Sequence, residues 1–385
     1  CQGGQRSFQV FMPKLGADSV IVPGSLYISF KINITSTDAA RYVVTNLGRN
    51  IVEKFIVKLG GKIIIEMNNY DRIKNYMDLW LSTTERASMN NVGICSANIN
   101  KLRVGATGTT AQEPDNSINS TYGNKYYIPV DFELFKNSMP HYGSGLNEDL
   151  TFEIDFSAAS KILLTTDVNA TYNLSDINLE YELVKDSSLA NQCNNRYASG
   201  YNLYFNRIFF HIMQQFDKTT GTVINWNINT PVKSLKGIVV LFEDVNNQPS
   251  FGRSVDSYFN PKITNVDITI EGQPNQIYAQ GFKPFMFYDE AARLMTREDL
   301  KHAALLYNTE GSYLQNMYAL VIDFRKTETN DLHVAGTKLD NGQQGLNLAI
   351  ASQTIAGGGT INAYIYLIMD AQLHIKDNLF CALVF

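Results

Sequence analysis

Cysteine, histidine and charged residues are all scarce in this chain of 385 residues. The four cysteines lie far apart, and no pair has the short spacing of a zinc or redox site. They are Cys1, Cys95, Cys193 and Cys381. We interpret them as buried or incidental thiols.

The five histidines are isolated from one another in the same way. No His-x-His pair occurs, and no Glu lies at ligand spacing from any of them. They are His141, His211, His302, His333 and His374. We therefore expect no metal site, and we interpret His374 as a solvated or interface residue.

Several sequence signals of function are also missing. No apolar run approaches the ~20 residues that span a bilayer, and no charged-then-apolar leader opens the chain. The net charge is only −5 and the lysines and arginines are scattered, which argues against a nucleic-acid groove. Gly-x-Ser-x-Gly, phosphate-loop and dinucleotide motifs do not occur. We expect no cofactor and no sequence-specific nucleic acid.

Two acid pairs and four tyrosines are the remaining candidates for a site. Asp149 with Glu153, or Asp289 with Glu290, would suit general acid–base work in a cleft. Carboxylates exposed at strand ends or helix starts are the commoner explanation of such pairs. The tyrosines could stack sugars or bases, but in strands they more often pack across a sheet. They are Tyr126, Tyr127, Tyr364 and Tyr366.

Clean alternation of apolar and polar residues runs through much of the chain. Residues 26–34 place Leu, Ile, Phe, Ile and Ile on one face, and residues 365–375 alternate likewise. Strands of this kind have one buried face, as in sandwiches, whereas parallel-sheet strands are apolar throughout. The pattern predicts an all-β protein.

The two halves of the chain repeat each other. Tyr172, Asp176 and Leu179 recur as Tyr366, Asp370 and Leu373, about half the chain later. An earlier strand also recurs: residues 55–60 match residues 266–272. Two matches in the same order suggest a duplicated β domain. We expect domains at 1–190 and 200–385, joined by a polar connector at 186–200.

Each half also shows a hairpin followed by one helical pattern. Gly60-Gly61 predicts a two-residue turn, while its counterpart at residues 272–275 contains Pro274 and suggests a wider one. Residues 70–81 have helical periodicity, and Thr296 with Asp299 resembles a capping box. Residues 96–124 are polar and glycine-rich, so we expect a long exposed loop there, which gives the first copy about 18 extra residues.

Specific strings resemble the hexon-like major capsid proteins of Polinton (Maverick) elements and adintoviruses. In the first half these are residues 46–51, 58–62, 70–71 and 78–81. In the second half they are residues 229–237, 260–263, 271–281 and 368–371. The resemblance covers about residues 20–385.

The resemblance implies two tandem eight-stranded jelly-roll sandwiches, a double jelly roll, with a short helix in each half. It also implies a homotrimer that forms a pseudo-hexagonal capsomer in the icosahedral shell of a DNA virus or virus-like element. The expected partners are neighbouring capsomers and penton or minor capsid proteins. The protein would be assembled inside the host cell and located in the virion. The resemblance implies no catalytic, cofactor-binding or metal residue.

Other interpretations stay open on the sequence alone. An amidase with paired jelly rolls would hide an acidic cleft between its domains, and a lectin would carry a shallow aromatic or calcium-lined site. The apolar run 238–242 suits either a subunit contact or a fully buried central strand. The specific virus, an inner membrane, receptor attachment and the contacts between capsomers are not determined by the sequence.

Overall fold

The computed structural model describes residues 7–38, 42–44, 46–81, 84–85, 125–137, 146–217, 224–245, 258–295, 317–325, 335–339, 345–353 and 358–384. Strands dominate these residues, as the alternating patterns predict. The predicted loop 96–124 and the predicted capping box at Thr296 lie outside the described residues.

The first half of the chain contains eleven described strands. They are β1 (Ser7–Phe11), β2 (Ser19–Ile21), β3 (Tyr27–Thr35), β4 (Tyr42–Val43), β5 (Val52–Leu59), β6 (Lys62–Asn68), β7 (Lys125–Pro129), β8 (Leu150–Phe156), β9 (Leu163–Leu164), β10 (Thr171–Glu180) and β11 (Leu183–Lys185). Its helices are α1 (Leu47–Asn50), α2 (Tyr70–Asp78), α3 (Glu133–Asn137) and α4 (Ala159–Ile162). The helix α5 (Ser187–Ser199) follows.

The second half contains ten described strands and one helix. The strands are β12 (Tyr201–Asp217), β13 (Ile224–Ile228), β14 (Val232–Asp244), β15 (Ile263–Ile270), β16 (Gln273–Pro274), β17 (Ala319–Asp323), β18 (Thr337–Leu339), β19 (Leu346–Ser352), β20 (Thr360–Lys376) and β21 (Leu379–Val384). The helix is α6 (Pro284–Met295).

Strand order shows the jelly-roll topology. In the second half the sheets run β12-β20-β14-β17 and β13-β19-β15-β16. In the first half they run β10-β3-β7 and β1-β8-β5-β6. Strands β10, β3 and β7 correspond to β20, β14 and β17, and β1, β8, β5 and β6 correspond to β13, β19, β15 and β16. No described strand of the first half corresponds to β12. All these ladders are antiparallel. The predicted all-β double jelly-roll fold is confirmed.

The apolar run 238–242 lies in the middle of β14. It pairs with β20 on one side and β17 on the other, and all five residues are buried. Phe242 stacks on Trp226 of the opposite sheet with ring centroids 6.3 Å apart. The central-strand interpretation is therefore confirmed, and the run offers no surface for a subunit contact.

Both predicted hairpins form, but the second is tighter than its sequence suggests. Gly60 and Gly61 have φ of 58° and 77°, as a primed two-residue turn requires. Glu271 and Gly272 have φ of 51° and 79°, and Ile270 pairs directly with Gln273. The prediction of a wider turn at 272–275 is wrong, because Glu271 accepts positive φ and Pro274 lies within β16, paired with Thr269.

The helices agree only in part with the sequence, which predicts one helical pattern in each half. The first half contains α1, α3 and α4 besides α2, which ends at Asp78, and α6 lies before the pattern that begins at Thr296. Helix α2 buries Tyr70 and Ile73, as predicted. The polar connector 186–200 is a helix rather than a plain linker. Asp186 caps α5 by accepting from the N–H groups of Ser188 and Leu189. Only Ala190, Cys193 and Tyr197 of this helix are buried, which explains why periodicity alone did not reveal it.

The repeated Tyr-Asp-Leu pattern is only partly equivalent in structure. Asp176 pairs with Lys31 of β3, and Asp370 pairs with Lys236 of β14, at 2.6 Å in both cases. Each aspartate thus contacts a lysine on the strand beside it, at the equivalent place in its sheet. The tyrosines point to opposite faces of their sheets, because Asp176 sits in a β-bulge with φ of 50° and shifts the alternation by one residue.

Candidate functional site

A cavity of about 590 Å³ lies between the two halves of the chain. It is lined by side chains of both charges from both halves. Those from the first half include Arg49, Lys74, Asp78, Asp131, Glu133 and Lys136. Those from the second include Asn206, Arg207, Lys236 and Arg325. No histidine, cysteine or serine is among the described residues that line it.

A buried ion network fills the first-half wall of this cavity. The Arg49 guanidinium donates to Asp78 Oδ2 at 3.0 Å through Nε and to Asp131 Oδ2 at 2.5 Å through Nη2. Lys74 Nζ donates to Asp131 Oδ1 at 2.9 Å, and Arg49 Nη1 donates to the Tyr70 hydroxyl at 2.7 Å. Two cations thus face two carboxylates, so the charges balance.

Electrostatics make this network structural rather than catalytic. Burial alone would raise the pKa of Asp131, but the Arg49 and Lys74 charges hold that pKa well below its usual value. Burial lowers the pKa of Lys74, and Asp131 opposes that effect. A carboxylate that stays ionised and holds two cations is a poor proton donor at neutral pH. The network joins α1, α2 and the β7–α3 turn.

A second network surrounds Asp323 at the end of β17. Arg293 Nε and Arg325 Nη2 donate to Asp323 Oδ2 at 2.9 and 2.7 Å. Glu290, half of one sequence-proposed acid pair, accepts from the Tyr278 hydroxyl and from Arg293 Nη2, both at 2.7 Å. Burial raises the pKa of Glu290, although these two partners oppose the rise. The Glu290 carboxylate is therefore held by two hydrogen bonds to protein groups.

The other proposed acid pair does not converge. Glu153 lies on β8 and accepts from Lys58 Nζ at 2.6 Å. Asp149 precedes the strand, and its largely exposed carboxylate is 3.8 Å from Lys14 Nζ. Neither residue lines the cavity. Asp149 is thus an exposed carboxylate at a strand end, as expected, whereas Glu153 lies in the middle of β8 and is held by its ion pair with Lys58.

The four proposed stacking tyrosines pack within the protein. The Tyr126 ring stacks on Phe30 at 5.9 Å, and Tyr127 meets Tyr27 edge to face at 6.1 Å. Tyr364 donates to Glu243 Oε2 at 3.0 Å. Burial raises the pKa of Tyr364 to about 12. Tyr126 and Tyr127 thus pack against the neighbouring strand of their sheet, and Tyr364 is held by Glu243.

The described histidines and cysteines are separate from one another. His211 Nδ1 lies 3.0 Å from Thr230 Oγ1, and burial lowers the pKa of this histidine. His374 Nδ1 lies 2.6 Å from Asn202 Oδ1. Cys193 is buried and Cys381 is exposed. The other histidines and cysteines lie outside the described residues: His141, His302, His333, Cys1 and Cys95.

The described residues lack two further features that would point to a function. They contain no group of three or more His, Cys, Asp or Glu placed to hold a metal ion. They also contain no helix with the length and apolar character needed to cross a membrane.

Contacts around Arg72 form a joint between the two halves of the chain. Arg72 of α2 reaches into the second half, where Nη2 contacts Glu243 Oε1 at 2.9 Å. Its guanidinium carbon lies 4.1 Å from the centre of the Tyr364 ring. Burial would lower the pKa of Arg72, but Glu243 raises it. The pair is therefore a permanent buried charge pair.

Hydrogen bonds and rings reinforce the same joint. The Tyr258 hydroxyl donates to the Arg72 carbonyl at 2.9 Å, and the Tyr366 hydroxyl donates to the Asn69 carbonyl at 3.1 Å. The rings of Tyr76 and Tyr258 meet edge to face at 5.4 Å. Sequence analysis missed Arg72 and Glu243, because their partners are far away along the chain. The joint holds the two sandwiches in one relative orientation.

No protein-family model matches this chain, and no curated protein sequence matches it. Solved structures do. The PBCV-1 virus capsid model aligns with a TM-score of 0.63 at 11% identity, covering 98% of this chain and 92% of that one. The Faustovirus major capsid protein aligns with a TM-score of 0.59 at 9% identity, covering 97% and 89%.

The mavirus major capsid protein aligns with a TM-score of 0.52 at 10% identity, covering 97% of this chain and 86% of that one. These alignments run through both halves of the chain without a large gap at either end. Together with the strand order, they show that the chain has the double jelly-roll fold found in these capsid proteins.

Proposed function

We propose that this protein is the major subunit of a virus capsid and that three copies form a pseudo-hexagonal capsomer. The observation that carries the proposal is the presence of two jelly rolls of the same strand order in one chain, held by a buried joint. Two similar domains in each of three chains give six similar corners. A trimer with only threefold symmetry can then occupy a hexagonal lattice position.

The comparisons and the sequence both support this proposal. By their own descriptions, the three similar structures are a virus capsid and two major capsid proteins, and they match over nearly the whole chain. Strings such as residues 46–51 and 271–281 favour the Polinton and adintovirus group as the source. We place the protein in the virion, after assembly inside the host cell.

Strand pairing supports a division of the chain into two domains. Among the described strands, β1–β11 pair with one another and β12–β21 pair with one another. We therefore propose domains at residues 1–190 and 200–385, with α5 in the connecting segment.

Exposed apolar side chains on β12 suit contacts with other subunits. Tyr204, Ile212 and Met213 are 43%, 42% and 39% exposed on this edge strand. Apolar groups of this size on a strand surface are frequent at protein contacts. Neighbouring capsomers and penton or minor capsid proteins are the partners that the proposal requires.

A structural role also fits the chemistry of the cavity better than an amidase or lectin does. The buried acids Asp78 and Asp131 in its wall are neutralised by Arg49 and Lys74. Glu133 Oε2 accepts from the Asn206 N–H at 2.6 Å. Each of these three carboxylates is held by a protein contact, so we propose that the protein is not an enzyme.

The test is the mass of the purified protein in solution, followed by electron microscopy. Light scattering should give three times the chain mass of 43.2 kDa, and images should show hexagonal particles. A stable monomer at micromolar concentration would contradict the trimer. Amidase activity on a glycopeptide that disappears in Glu290→Gln, with the fold intact, would overturn the capsid assignment.

A further inference from the structure

The cavity between the two halves has an apolar part that the ion networks do not explain. Three methionines line it, Met67 and Met77 from the first half and Met295 from the second. Leu81 and Leu294 belong to the same wall. All of these except Met67 are only half-buried. Part of their apolar surface is therefore left without cover by the fold itself.

Strand register explains how the second half forms its share of this apolar part. Ile208 of β12, Ile368 of β20 and Gly237 of β14 lie side by side across the sheet. A Cβ on Gly237 would collide with a methyl carbon of Leu294, so the missing side chain lets α6 place Leu294 against this row. Both isoleucines and Leu294 line the cavity and form one continuous apolar wall.

A polar row follows directly on the same strands. Lys236 Nζ donates to Asn206 Oδ1 at 2.7 Å and contacts Asp370 Oδ1 at 2.6 Å. Asn206 and Asp370 pair with each other two residues from the pair formed by Ile208 and Ile368. Because strand residues two apart share a face, polar and apolar side chains lie next to each other in one cavity. The site is therefore amphipathic.

The wall of the cavity carries more positive than negative side chains. Six lysines and arginines line it, namely Arg49, Lys74, Lys136, Arg207, Lys236 and Arg325. Four carboxylates line it, namely Asp78, Glu85, Asp131 and Glu133. Protein N–H groups already bind three of these, Asp78, Asp131 and Glu133. This balance favours an anionic ligand over a cationic one.

The side chains of Lys136 and Arg207 suit the anionic end of such a ligand. Lys136 is exposed, and its ammonium has no ion pair among the described residues. Lys236 and Arg325, by contrast, contact Asp370 and Asp323. Burial lowers the pKa of Arg207, although Glu66 opposes that effect. An anion in the cavity would favour the charged form of Arg207 as well.

We propose that this cavity binds one long-chain fatty acid, with its carboxylate toward Lys136 and Arg207 and its chain along the methionines, Ile368 and Leu294. The volume of about 590 Å³ lies within the range of about 300–1,000 Å³ that is typical of small-molecule pockets. A helical peptide fits less well, because a helix about 10 Å across occupies about 420 Å³ per turn and little more than one turn would be enclosed. Flexible methionines also suit a flexible chain. The inference does not depend on the capsid assignment.

Displacement of a fluorescent fatty acid, cis-parinarate, from the purified 385-residue protein tests the proposal. One molecule should bind per chain, at concentrations below those at which fatty acids form micelles. Oleate should displace it at a concentration at least about tenfold lower than oleyl alcohol, which has the same chain without the charge. Octanoate, which has the charge without the long chain, should also be at least about tenfold weaker than oleate, because it buries fewer CH₂ groups.

Substitutions in the cavity locate the binding. Lys136→Glu should weaken cis-parinarate binding about tenfold, because a carboxylate then faces the ligand's carboxylate. Lys185→Glu is the matched control, since Lys185 is exposed on β11 and does not line the cavity. Met77→Trp and Leu294→Phe, from opposite halves, should each narrow the apolar part and weaken binding. Thermal midpoints identify which of these variants are folded, and two blocking variants keep the test decisive if one of them is not.

Three results would overturn the proposal. One is the absence of saturable binding, or binding of many molecules per chain with equal affinity. Another is equal weakening by Lys136→Glu and Lys185→Glu, which would assign the binding to general surface charge. The third is unchanged binding in a folded Met77→Trp or Leu294→Phe protein, which would place the fatty acid outside this cavity.

Discussion

At the scale of single residues, Asp131 connects two cations that have almost no contact with water. Arg49 and Lys74 are each bound to it, and their side chains are 3% and 7% exposed. A buried charge whose partner is removed is costly, whereas an exposed pair contributes little. The stability of the first jelly roll should therefore depend strongly on this carboxylate.

We expect Asp131→Ala to lower the free energy of unfolding by about 3–5 kcal/mol, because two buried cations lose a counter-charge. Urea denaturation followed by fluorescence would measure the change. Asp149→Ala is the matched control, since its ion pair with Lys14 is largely exposed and should contribute less than about 1 kcal/mol. Equal losses in the two variants would contradict the role of the buried network.

The same carboxylate should make stability depend on pH. Its folded pKa is depressed, so its contribution is fully present above its unfolded pKa of about 4 and is lost as the pH falls below that value. The urea midpoint of the wild-type protein should fall between about pH 5 and pH 3. In Asp131→Asn the decline over this window should be smaller; equal slopes would exclude Asp131 as the cause.

At the scale of elements, helix α5 depends on a single cap. Asp186 accepts hydrogen bonds from the Ser188 and Leu189 N–H groups at 2.9 and 3.0 Å. At its other end, Gly200 has φ of 108°, a conformation that glycine adopts without strain. The cap and the glycine explain why a polar segment with few buried residues still forms a helix between the two sandwiches.

Asp186→Ala should therefore destabilise the protein by about 1 kcal/mol, because two N–H groups of the first turn lose their acceptor. Asp186→Asn keeps an acceptor and should have a much smaller effect. Chemical denaturation of the three proteins would measure both changes, and circular dichroism would report any loss of helix. A large loss in Asp186→Asn would show that charge, rather than capping, is what matters.

At the scale of the whole molecule, the joint around Arg72 couples the two halves. Glu243→Gln would leave the Arg72 guanidinium buried without its carboxylate, at a cost of about 3–5 kcal/mol. We expect the wild-type protein to unfold in a single calorimetric transition and the Glu243→Gln variant to unfold in two. Tyr364→Phe, which removes only one hydrogen bond to Glu243, should keep a single transition. Two transitions already present in the wild type would contradict tight coupling.

Residues 96–124 provide a second prediction at this scale. Their polar, glycine-rich sequence offers little apolar surface for burial, so they should add little to the core. Replacement of this segment by a short Gly-Ser linker should leave the capsomer mass and the thermal midpoint nearly unchanged, as measured by light scattering and calorimetry. Collapse of the fold after the replacement would show that the segment is part of the core.

Sequence alone determined the features that depend on neighbours along the chain. Alternation at residues 26–34 and 365–375 predicted the strands, because the side-chain period of a strand is two. Gly60-Gly61 predicted its turn, and the repeat predicted two similar sandwiches. The histidines, cysteines and acids do not lie at the spacings typical of metal, redox or acid–base sites, and this pointed away from catalysis.

Tertiary structure decided everything that depends on partners distant in sequence. The Arg72–Glu243 pair, the Arg49 network and the cavity between the halves join residues that no local pattern relates. The bulge at Asp176 reversed the face of Tyr172 relative to Tyr366, although their sequences match. Only strand pairing shows that, among the described strands, β10 lacks the neighbour that β20 has in β12, because an open edge is a property of the sheet and not of the strand's own residues.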